Sequence, residues 1–203
     1  MLWRKSGVGP NSTHLLKTLQ GSIELSSRLL SGVMEKEVYK GQILRVTEEV
    51  IGGITWERAY LPAGVIIFPI TDSGKIVLIN EVRPHENPPL RLKAVSGILE
   101  RDKGSPEENA QREMQEEIGL KASSMELLMT LQGSGTINHQ QYFFVARGLF
   151  PSKLPNPDGE ETILGVQEFT PQELKRKIMS DEIKWSMTTL GIFRLLGTCF
   201  PDA

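Results

Sequence analysis

Short runs of β-branched and aromatic residues alternate with turn-forming residues between Glu37 and Ile70. The runs read VYKGQILRVTEEV, ITWERAYL and VIIFPI, and they are interrupted at Gly52-Gly53 and at Pro62-Ala63-Gly64. Because such runs bounded by glycine and proline are typical of strands joined by turns, the pattern predicts antiparallel β-strands here. The next run, TDSGKIVLINEVR, predicts a turn at Asp72-Ser73-Gly74 followed by a buried strand.

The remainder of the chain mixes β-rich runs with helical patterns. Strands are predicted for ELLMTLQG, QYFFVARGL and ILGVQEF, with loops at PHENPP and PNPDGEE. A helix is predicted to begin at Thr170, with Pro171 in its first turn, and TTLGIFRLL predicts an apolar helix after it. Leucines and isoleucines at helical spacing in residues 13–30 predict an accessory helix near the other end.

The clearest helical pattern covers residues 106–118. Ser105-Pro106-Glu107-Glu108 is a capping box with proline in the first turn, and Gly119 is a natural helix end. The buried side is predicted from apolar residues that recur every four positions, Ala110, Met114 and Ile118.

The same helix carries a concentration of negative charge, Glu113, Glu116 and Glu117, with Arg112 beside it. Like charges three and four residues apart on a helix repel, and one arginine does not neutralise three carboxylates. Such a cluster is typical either of a solvated acidic face or of a site for a hard cation such as Mg²⁺, which prefers oxygen ligands. The cluster taken alone leaves both readings open.

Composition narrows the class of protein and partner. With 203 residues, 39% of them hydrophobic, the chain suits one globular domain with an extra terminal segment. A formal net charge of −2 gives no basic footprint for nucleic acid or an acidic membrane, so a small-molecule partner is expected. The single cysteine, Cys199, and the absence of an apolar leader at the start of the sequence predict a cytoplasmic protein.

The segment SGILERDKGSPEENAQREMQEEIGL, residues 96–120, resembles the signature of the Nudix hydrolases. Its second half follows the family pattern Arg-Glu-aliphatic-x-Glu-Glu-x-Gly-aliphatic from Arg112 to Leu120. The resemblance extends from Val38 to Leu196 and is closest to the ADP-ribose pyrophosphatase branch. It implies an α/β/α sandwich with a mixed sheet and added N-terminal antiparallel strands. It also implies Mg²⁺- or Mn²⁺-dependent cleavage of ADP-ribose or a nucleoside diphosphate sugar, by attack of water on phosphorus.

The resemblance assigns roles to individual residues. Glu113 and Glu117 match the principal metal ligands, Glu116 matches a third ligand with a catalytic role, and the Ser96 carbonyl matches a backbone ligand. Arg112 is expected to orient these glutamates. Further, Arg83 matches an arginine that contacts the diphosphate.

Several positions depart from the family pattern. Gly104 stands where the first half of the signature usually has a glutamate, and Glu100 in the same loop offers a spare carboxylate. Lys93 stands where the motif Glu-x-Pro-Ala-Gly has its acidic residue, so Lys93 is a candidate substrate contact and substrate identity stays open. Trp185-Ser186-Met187 replaces a pattern common in nucleoside-sugar hydrolases.

A fourth departure concerns the general base. In this branch a glutamate before the strand QYFFVA commonly activates the water, whereas GSGTINHQQ offers Gln140, whose amide accepts no proton. Three explanations stay open: Glu100 or His139 acts instead, metal-bound water needs little help, or Gln140 is an introduced replacement. His139 has the chemistry of a base, yet loop histidines are more often surface or substrate contacts.

The sequence thus predicts an accessory segment over residues 1–36, a β subdomain over 37–62 and a catalytic domain over 63–203. In the family branch such N-terminal strands lie against a second subunit, so a homodimer is expected. The alternative is that residues 13–30 fold back and cover those strands. Two alternative functions also stay open: a Nudix-fold sensor that binds nucleotide without cleavage, and a pyrophosphohydrolase of 5′-RNA or dinucleoside polyphosphates.

Overall fold

The computed structural model describes residues 35–155 and 162–202. These residues form two compact units, one reaching to Leu61 and including Gly135–Ile137, and the other comprising the rest. The helix predicted for residues 13–30 lies outside the described residues, as does most of the loop PNPDGEE.

Strands and helices of the described residues agree with most of the sequence pattern. The strands are β1 (Lys36–Lys40), β2 (Arg45–Ile51), β3 (Ile54–Tyr60), β4 (Gly64–Pro69), β5 (Ile76–Val82), β6 (Leu90–Lys93), β7 (Val95–Ile98), β8 (Leu120–Gln132), β9 (Ile137–Asn138), β10 (Gln140–Pro151) and β11 (Thr162–Phe169). The α-helices are α1 (Pro106–Glu117), α2 (Pro171–Met179) and α3 (Ser186–Cys199), with a 3-10 turn at Arg101–Lys103. Of these, β6, β7 and β9 were not indicated by the pattern.

The first unit contains β1, β2 and β3, with β2 antiparallel to both of its neighbours, and the strand order of this sheet is β1-β2-β3-β9. β2 and β3 are joined by Gly52-Gly53, both with positive φ, and Ile51 faces Ile54 across the turn. Only a residue without Cβ adopts this conformation cheaply, which explains the glycine pair. The predicted antiparallel strands are confirmed for β1, β2 and β3, whereas the run VIIFPI forms β4, which pairs antiparallel with β7 and parallel with β10.

The second unit contains two sheets, with the orders β7-β4-β10-β8 and β11-β5-β6. β4 runs parallel to β10, while β7 is antiparallel to β4 and β8 is antiparallel to β10. The first of these sheets is therefore mixed, as expected. The second sheet is antiparallel throughout.

Strand β4 is buried on both faces and separates two hydrophobic clusters. Its even-numbered side chains, such as Phe68, pack in one cluster with Leu174 of α2 and Leu195 of α3. Its odd-numbered side chains, such as Val65, pack in the other with Met114 of α1. Because successive strand residues face opposite sides, helices cover both faces of the sheet, and the predicted α/β/α sandwich is confirmed. None of the described helices combines the length and apolar character needed to cross a membrane.

Candidate active site

Helix α1 places the three signature glutamates in its last two turns. Ser105 Oγ accepts from Glu108 N at 3.2 Å and Glu108 Oε2 accepts from Ser105 N at 2.7 Å, so the predicted capping box is confirmed. Ala110 and Met114 are fully buried and fix the rotation of the helix against the sheet. With start and rotation fixed, the neighbouring face of α1 turns its carboxylates toward β7.

Two of these carboxylates lie against the backbone of β7. Ser96 N donates a hydrogen bond to Glu117 Oε2 at 3.1 Å. A Cβ atom built on Gly97 falls 2.1 Å from Glu113 Cδ, a distance that no real contact allows. Gly97 is therefore required to let the Glu113 carboxylate approach the strand, and the structure brings together Ser96, Glu113 and Glu117.

Lys93, at the end of β6, lies on the other side of Glu117. Its Nζ is 3.4 Å from Glu117 Oε1, 3.1 Å from Glu81 Oε1 and 3.1 Å from Ser96 Oγ. The Lys93 side chain is 6% exposed and Glu117 is 2% exposed, so this ion pair is shielded from bulk water. Lys93 thus joins the signature helix to strand β5.

Glu81 was not indicated by the sequence, yet its carboxylate is the anchor for the cations of the site. It is fully buried, with Arg83 Nη2 2.9 Å from its Oε1 and Arg91 Nε hydrogen-bonded to its Oε2. Burial by itself raises the pKa of the Glu81 carboxyl, but Lys93, Arg83 and Arg91 outweigh it and hold that pKa at about 2. The carboxyl group of Glu81 is therefore ionised at neutral pH.

Arg112 bridges the signature glutamates and the preceding loop. Its Nη2 lies 3.0 Å from Glu100 Oε1 and 2.8 Å from Asn109 Oδ1. On the other side its Nη2 is 3.7 Å from Glu113 Oε1 and its Nε is 3.7 Å from Glu116 Oε1. The carboxylate of Glu100 thus contacts Arg112. Glu100 lies in the same loop as Gly104, which stands where the family signature usually has a glutamate.

Asn109 is a second residue that the sequence reasoning missed. It is fully buried, and its Nδ2 donates to the carbonyls of Glu100, Gly104 and Ser105 at 2.9–3.2 Å. Its Oδ1 accepts from Glu100 N at 3.1 Å as well as from Arg112. The amide therefore ties the loop to α1 and holds Arg112. An asparagine one turn before the signature arginine was the available signal.

Gln140, which stands where the family branch has its general base, and His139, a candidate for water activation, lie at a different level of the sheet from Ser96. Ser96 faces Ile66 on β4, which faces Phe143 on β10. Gln140 is three residues before Phe143, which is about 10 Å along the strand, and β10 is two strand spacings, about 10 Å, from β7. His139 precedes it, with its carbonyl accepting from Gly133 N at 2.7 Å. The fold therefore does not place Gln140 and His139 beside Ser96.

The donor set suits a hard divalent cation. Three carboxylates and the Ser96–Gly97 backbone supply oxygen ligands of the kind that Mg²⁺ and Mn²⁺ prefer, and the glycine leaves the room that a Cβ would fill. As they stand, no three acidic, histidine or cysteine side chains in the described part of the chain converge on one point. The glutamates instead contact Lys93, Arg112 and backbone N–H groups.

The sequence profile of the NUDIX domain matches residues 60–189, which include α1, β7 and the loop between them. The chain belongs to the Nudix family. The expected membership in the Nudix hydrolase superfamily is confirmed, and with it the assignment of the chain as an enzyme of that group. The side chains of Glu113, Glu116 and Glu117 are only 15%, 15% and 2% exposed, so the three carboxylates do not form a solvated acidic face.

Two proteins are similar to this Nudix chain over most of their length. A methanol dehydrogenase activator from Bacillus methanolicus is 28% identical over 169 residues, covering 79% of this chain and 89% of that protein. An ADP-ribose pyrophosphatase from Bacillus subtilis (strain 168) is 24% identical over 167 residues, again covering 79% and 89%. The second of these proteins is named for the ADP-ribose pyrophosphatase branch, which the sequence resemblance also indicated.

A solved structure shares the fold. The crystal structure of an ADP compounds hydrolase superimposes with a TM-score of 0.69 at 19% sequence identity, covering 81% of this chain and 92% of that one. At this identity the likeness concerns the fold, and it agrees with the layered architecture described above.

Proposed function

We propose that this Nudix protein uses Mg²⁺ or Mn²⁺ to hydrolyse the diphosphate of ADP-ribose or of a nucleoside diphosphate sugar. Water adds to one phosphorus, the bridging P–O bond breaks, and the products are a nucleoside monophosphate and a sugar phosphate. The observation that carries the proposal is the approach of Glu113 and Glu117 to Ser96 and Gly97 across α1 and β7. The names of the similar pyrophosphatase and hydrolase support the choice of substrate.

The chain's own groups divide the work. Glu113, Glu116, Glu117 and the Ser96 carbonyl would hold the cation, which supplies a water of lowered pKa and charge stabilisation for the phosphates. Arg112 holds two of the glutamates in place. Glu100 contacts Arg112 and Lys103, at 3.0 and 2.6 Å, so we assign it to positioning and not to water activation.

The substrate side of the proposal rests on Arg83, which directly follows β5, and on Arg91 of β6. Arg83 and Arg91 are partly exposed, at 24% and 18%, while both contact Glu81. Arg91 also lies over the ring of Trp185, 5.3 Å from its centroid. Planar guanidinium groups bind diphosphates through paired N–H donors, and Arg83 matches the family arginine that contacts the diphosphate, so we assign Arg83 and Arg91 to substrate binding.

One screen tests the proposal. Candidate substrates are ADP-ribose, nucleoside diphosphate sugars, dinucleoside polyphosphates and 5′-triphosphorylated RNA, each with Mg²⁺ or Mn²⁺, with phosphate measured after phosphatase treatment. Metal-dependent turnover of the first two classes is the expected result. Tight binding without turnover would instead support a nucleotide sensor, and preference for RNA would support the other alternative.

Substitution of the proposed ligands tests the site itself. Glu113→Gln and Glu117→Gln each remove a carboxylate charge, and each is expected to lower turnover by at least about 100-fold with the fold intact. Steady-state rates and circular dichroism check this. Activity close to wild type in both variants would exclude the metal assignment.

The proposal also includes a homodimer formed through the N-terminal strands. Several large apolar side chains of β1–β3 are about half exposed, Val38, Tyr39, Val50, Ile54 and Trp56. A small sheet with so much exposed apolar surface gains stability when another surface covers it. We also propose a cytoplasmic location, because a chain with a single cysteine forms no internal disulfide.

A further inference from the structure

Lys93 places a positive charge beside a carboxylate that the proposed function assigns to a divalent cation. Its ammonium lies 3.4 Å from Glu117 Oε1, and Glu117 is one of the proposed ligands of the divalent cation. The other oxygen of Glu117 accepts from Ser96 N at 3.1 Å. Both oxygens of this carboxylate therefore have a partner that belongs to the chain itself.

The surroundings hold Lys93 in place. Glu81 Oε1 is 3.1 Å from its Nζ, and Glu81 is fully buried and ionised. The Lys93 side chain is 6% exposed, and pairing with a carboxylate of this kind offsets the cost of burying an ammonium group. Because Glu81 holds Lys93 independently of Glu117, the lysine stays next to the carboxylate site when Glu117 takes another partner.

We propose that Lys93 is a resident counter-ion of the carboxylate site. It neutralises part of the charge of Glu117 and lowers the affinity of the site for a divalent cation. This inference rests on the metal dependence of the proposed function. A site weakened in this way fills well only when a polyanionic substrate adds its own negative charge, so Lys93 couples cation binding to diphosphate binding.

The test measures cation binding without substrate. Mn²⁺ is titrated into wild type, Lys93→Met and Lys93→Gln, with free Mn²⁺ followed by electron paramagnetic resonance. Met keeps the length and apolar stem of lysine without its charge, while Gln keeps a hydrogen-bonding group toward Glu81. Both variants are expected to bind Mn²⁺ about tenfold more tightly, because a unit positive charge 3.4 Å from an oxygen of a proposed ligand is removed.

Lys153→Gln is the matched control. Lys153 Nζ also lies at α1, 2.6 Å from the carbonyl of Glu116, but it is exposed and bonds backbone. Its removal is expected to change Mn²⁺ affinity less than about twofold, since exposed charges are screened. In a Glu117→Gln background, Lys93→Gln is expected to lose most of its effect, which shows that Lys93 acts through Glu117.

The outcomes separate this inference from the proposed function. Unchanged or weaker Mn²⁺ binding in folded Lys93 variants, with binding by wild type, overturns the role of Lys93 alone. Absence of binding in wild type and in both variants overturns the metal site as well. Circular dichroism identifies a variant that has not folded, and Lys93→Gln then decides if Lys93→Met does not fold.

Discussion

Glu81 illustrates how one buried side chain organises a charged site. Its carboxylate faces three cations, Arg83, Arg91 and Lys93, and they hold its pKa at about 2 against the pull of burial. Removal of that charge leaves the cations facing one another in a shielded place. Glu81→Gln is therefore expected to lower the free energy of unfolding by about 3–5 kcal/mol at neutral pH.

The effect of Glu81 depends on pH in a defined direction. A pKa of about 2 in the folded chain against an ordinary 4.5 means that the carboxylate stabilises the fold above pH 4.5 and loses this contribution as pH falls toward 2. The difference in unfolding free energy between wild type and Glu81→Gln should therefore shrink over that interval. Urea denaturation at a series of pH values measures it.

Glu168→Gln provides the comparison for Glu81. Glu168 lies on β11 of the same sheet, half exposed and 3.8 Å from Lys75. Its substitution is expected to change stability by less than about 0.5 kcal/mol at any of these pH values. Equal effects of the two substitutions would show that the buried cluster does not anchor the fold.

Asn109 links stability to catalysis through its amide. Asn109→Ala leaves three carbonyls and the Glu100 N–H without this partner and releases Arg112. The expected result is a loss of about 2 kcal/mol of unfolding free energy, together with a roughly tenfold or larger fall in turnover. Denaturation curves and steady-state kinetics check the two effects.

Gln111→Ala is the control that separates the two effects. Gln111 also bonds backbone from α1, with its Nε2 2.8 Å from Ala122 O and its Oε1 3.0 Å from Ala122 N. These bonds anchor α1 to β8 and do not involve Arg112. Gln111→Ala should cost similar stability but leave turnover near wild type. If Gln111→Ala reduces turnover as much as Asn109→Ala does, Asn109 has no special role in positioning Arg112.

At the scale of the element, α3 shows how closely a helix packs on the sheet. The residues that it buries follow the spacing of one helical face, Thr188, Gly191, Ile192, Leu195 and Leu196. A Cβ atom on Gly191 would lie 2.5 Å from Phe68 Cζ and 3.0 Å from Phe143 Cδ1. The absence of a side chain at Gly191 therefore sets the distance between α3 and the core.

Gly191→Ala is expected to lower the free energy of unfolding by about 1–3 kcal/mol. The added methyl group overpacks the core, and this cost exceeds the stability gained from the higher helix propensity of alanine. Gly197→Ala on the same helix is the control, since no atom lies within 4 Å of its Cβ position. That variant should gain up to about 1 kcal/mol. Chemical denaturation of both variants decides, and a stabilised Gly191→Ala would contradict the close packing.

At the scale of the whole molecule, the N-terminal sheet bears on assembly. Trp56 is 53% exposed on β3, and Ile54 on the same strand is 61% exposed. If a second chain covers them, Trp56→Lys places a charge in the interface and should raise the dimer dissociation constant at least about tenfold. Sedimentation over a range of concentrations measures this.

Leu164→Lys serves as the control for Trp56→Lys. Leu164 is 63% exposed on β11 of the second unit, away from the N-terminal strands in sequence. It is expected to leave assembly unchanged. A wild-type protein that stays monomeric at micromolar concentration contradicts the proposed dimer, and equal weakening by both substitutions contradicts its location.

Secondary-structure elements that depend on residues close together in the chain could be predicted from the sequence. The capping box at Ser105, the four-residue recurrence of Ala110 and Met114 and the glycine after the helix fixed α1 within one residue, because each signal acts over a single turn. The three glutamates lie on one face of the helix for the same reason, because helical spacing alone places them there. The apolar run VIIFPI was predicted as a strand and forms most of β4, but its parallel pairing with β10 was not predicted.

Which charged side chains come into contact depends on the tertiary structure. Glu81 faces Arg91 directly across β5 and β6, and Lys93 pairs with Ile79 two residues along, which brings both cations to one carboxylate. The four-residue strands β6 and β7 are too short for a recognisable alternation, so their register could not be predicted. A sheet register depends on partners distant in the chain, and a shift of one residue would turn Lys93 to the opposite face, away from Glu81 and Glu117.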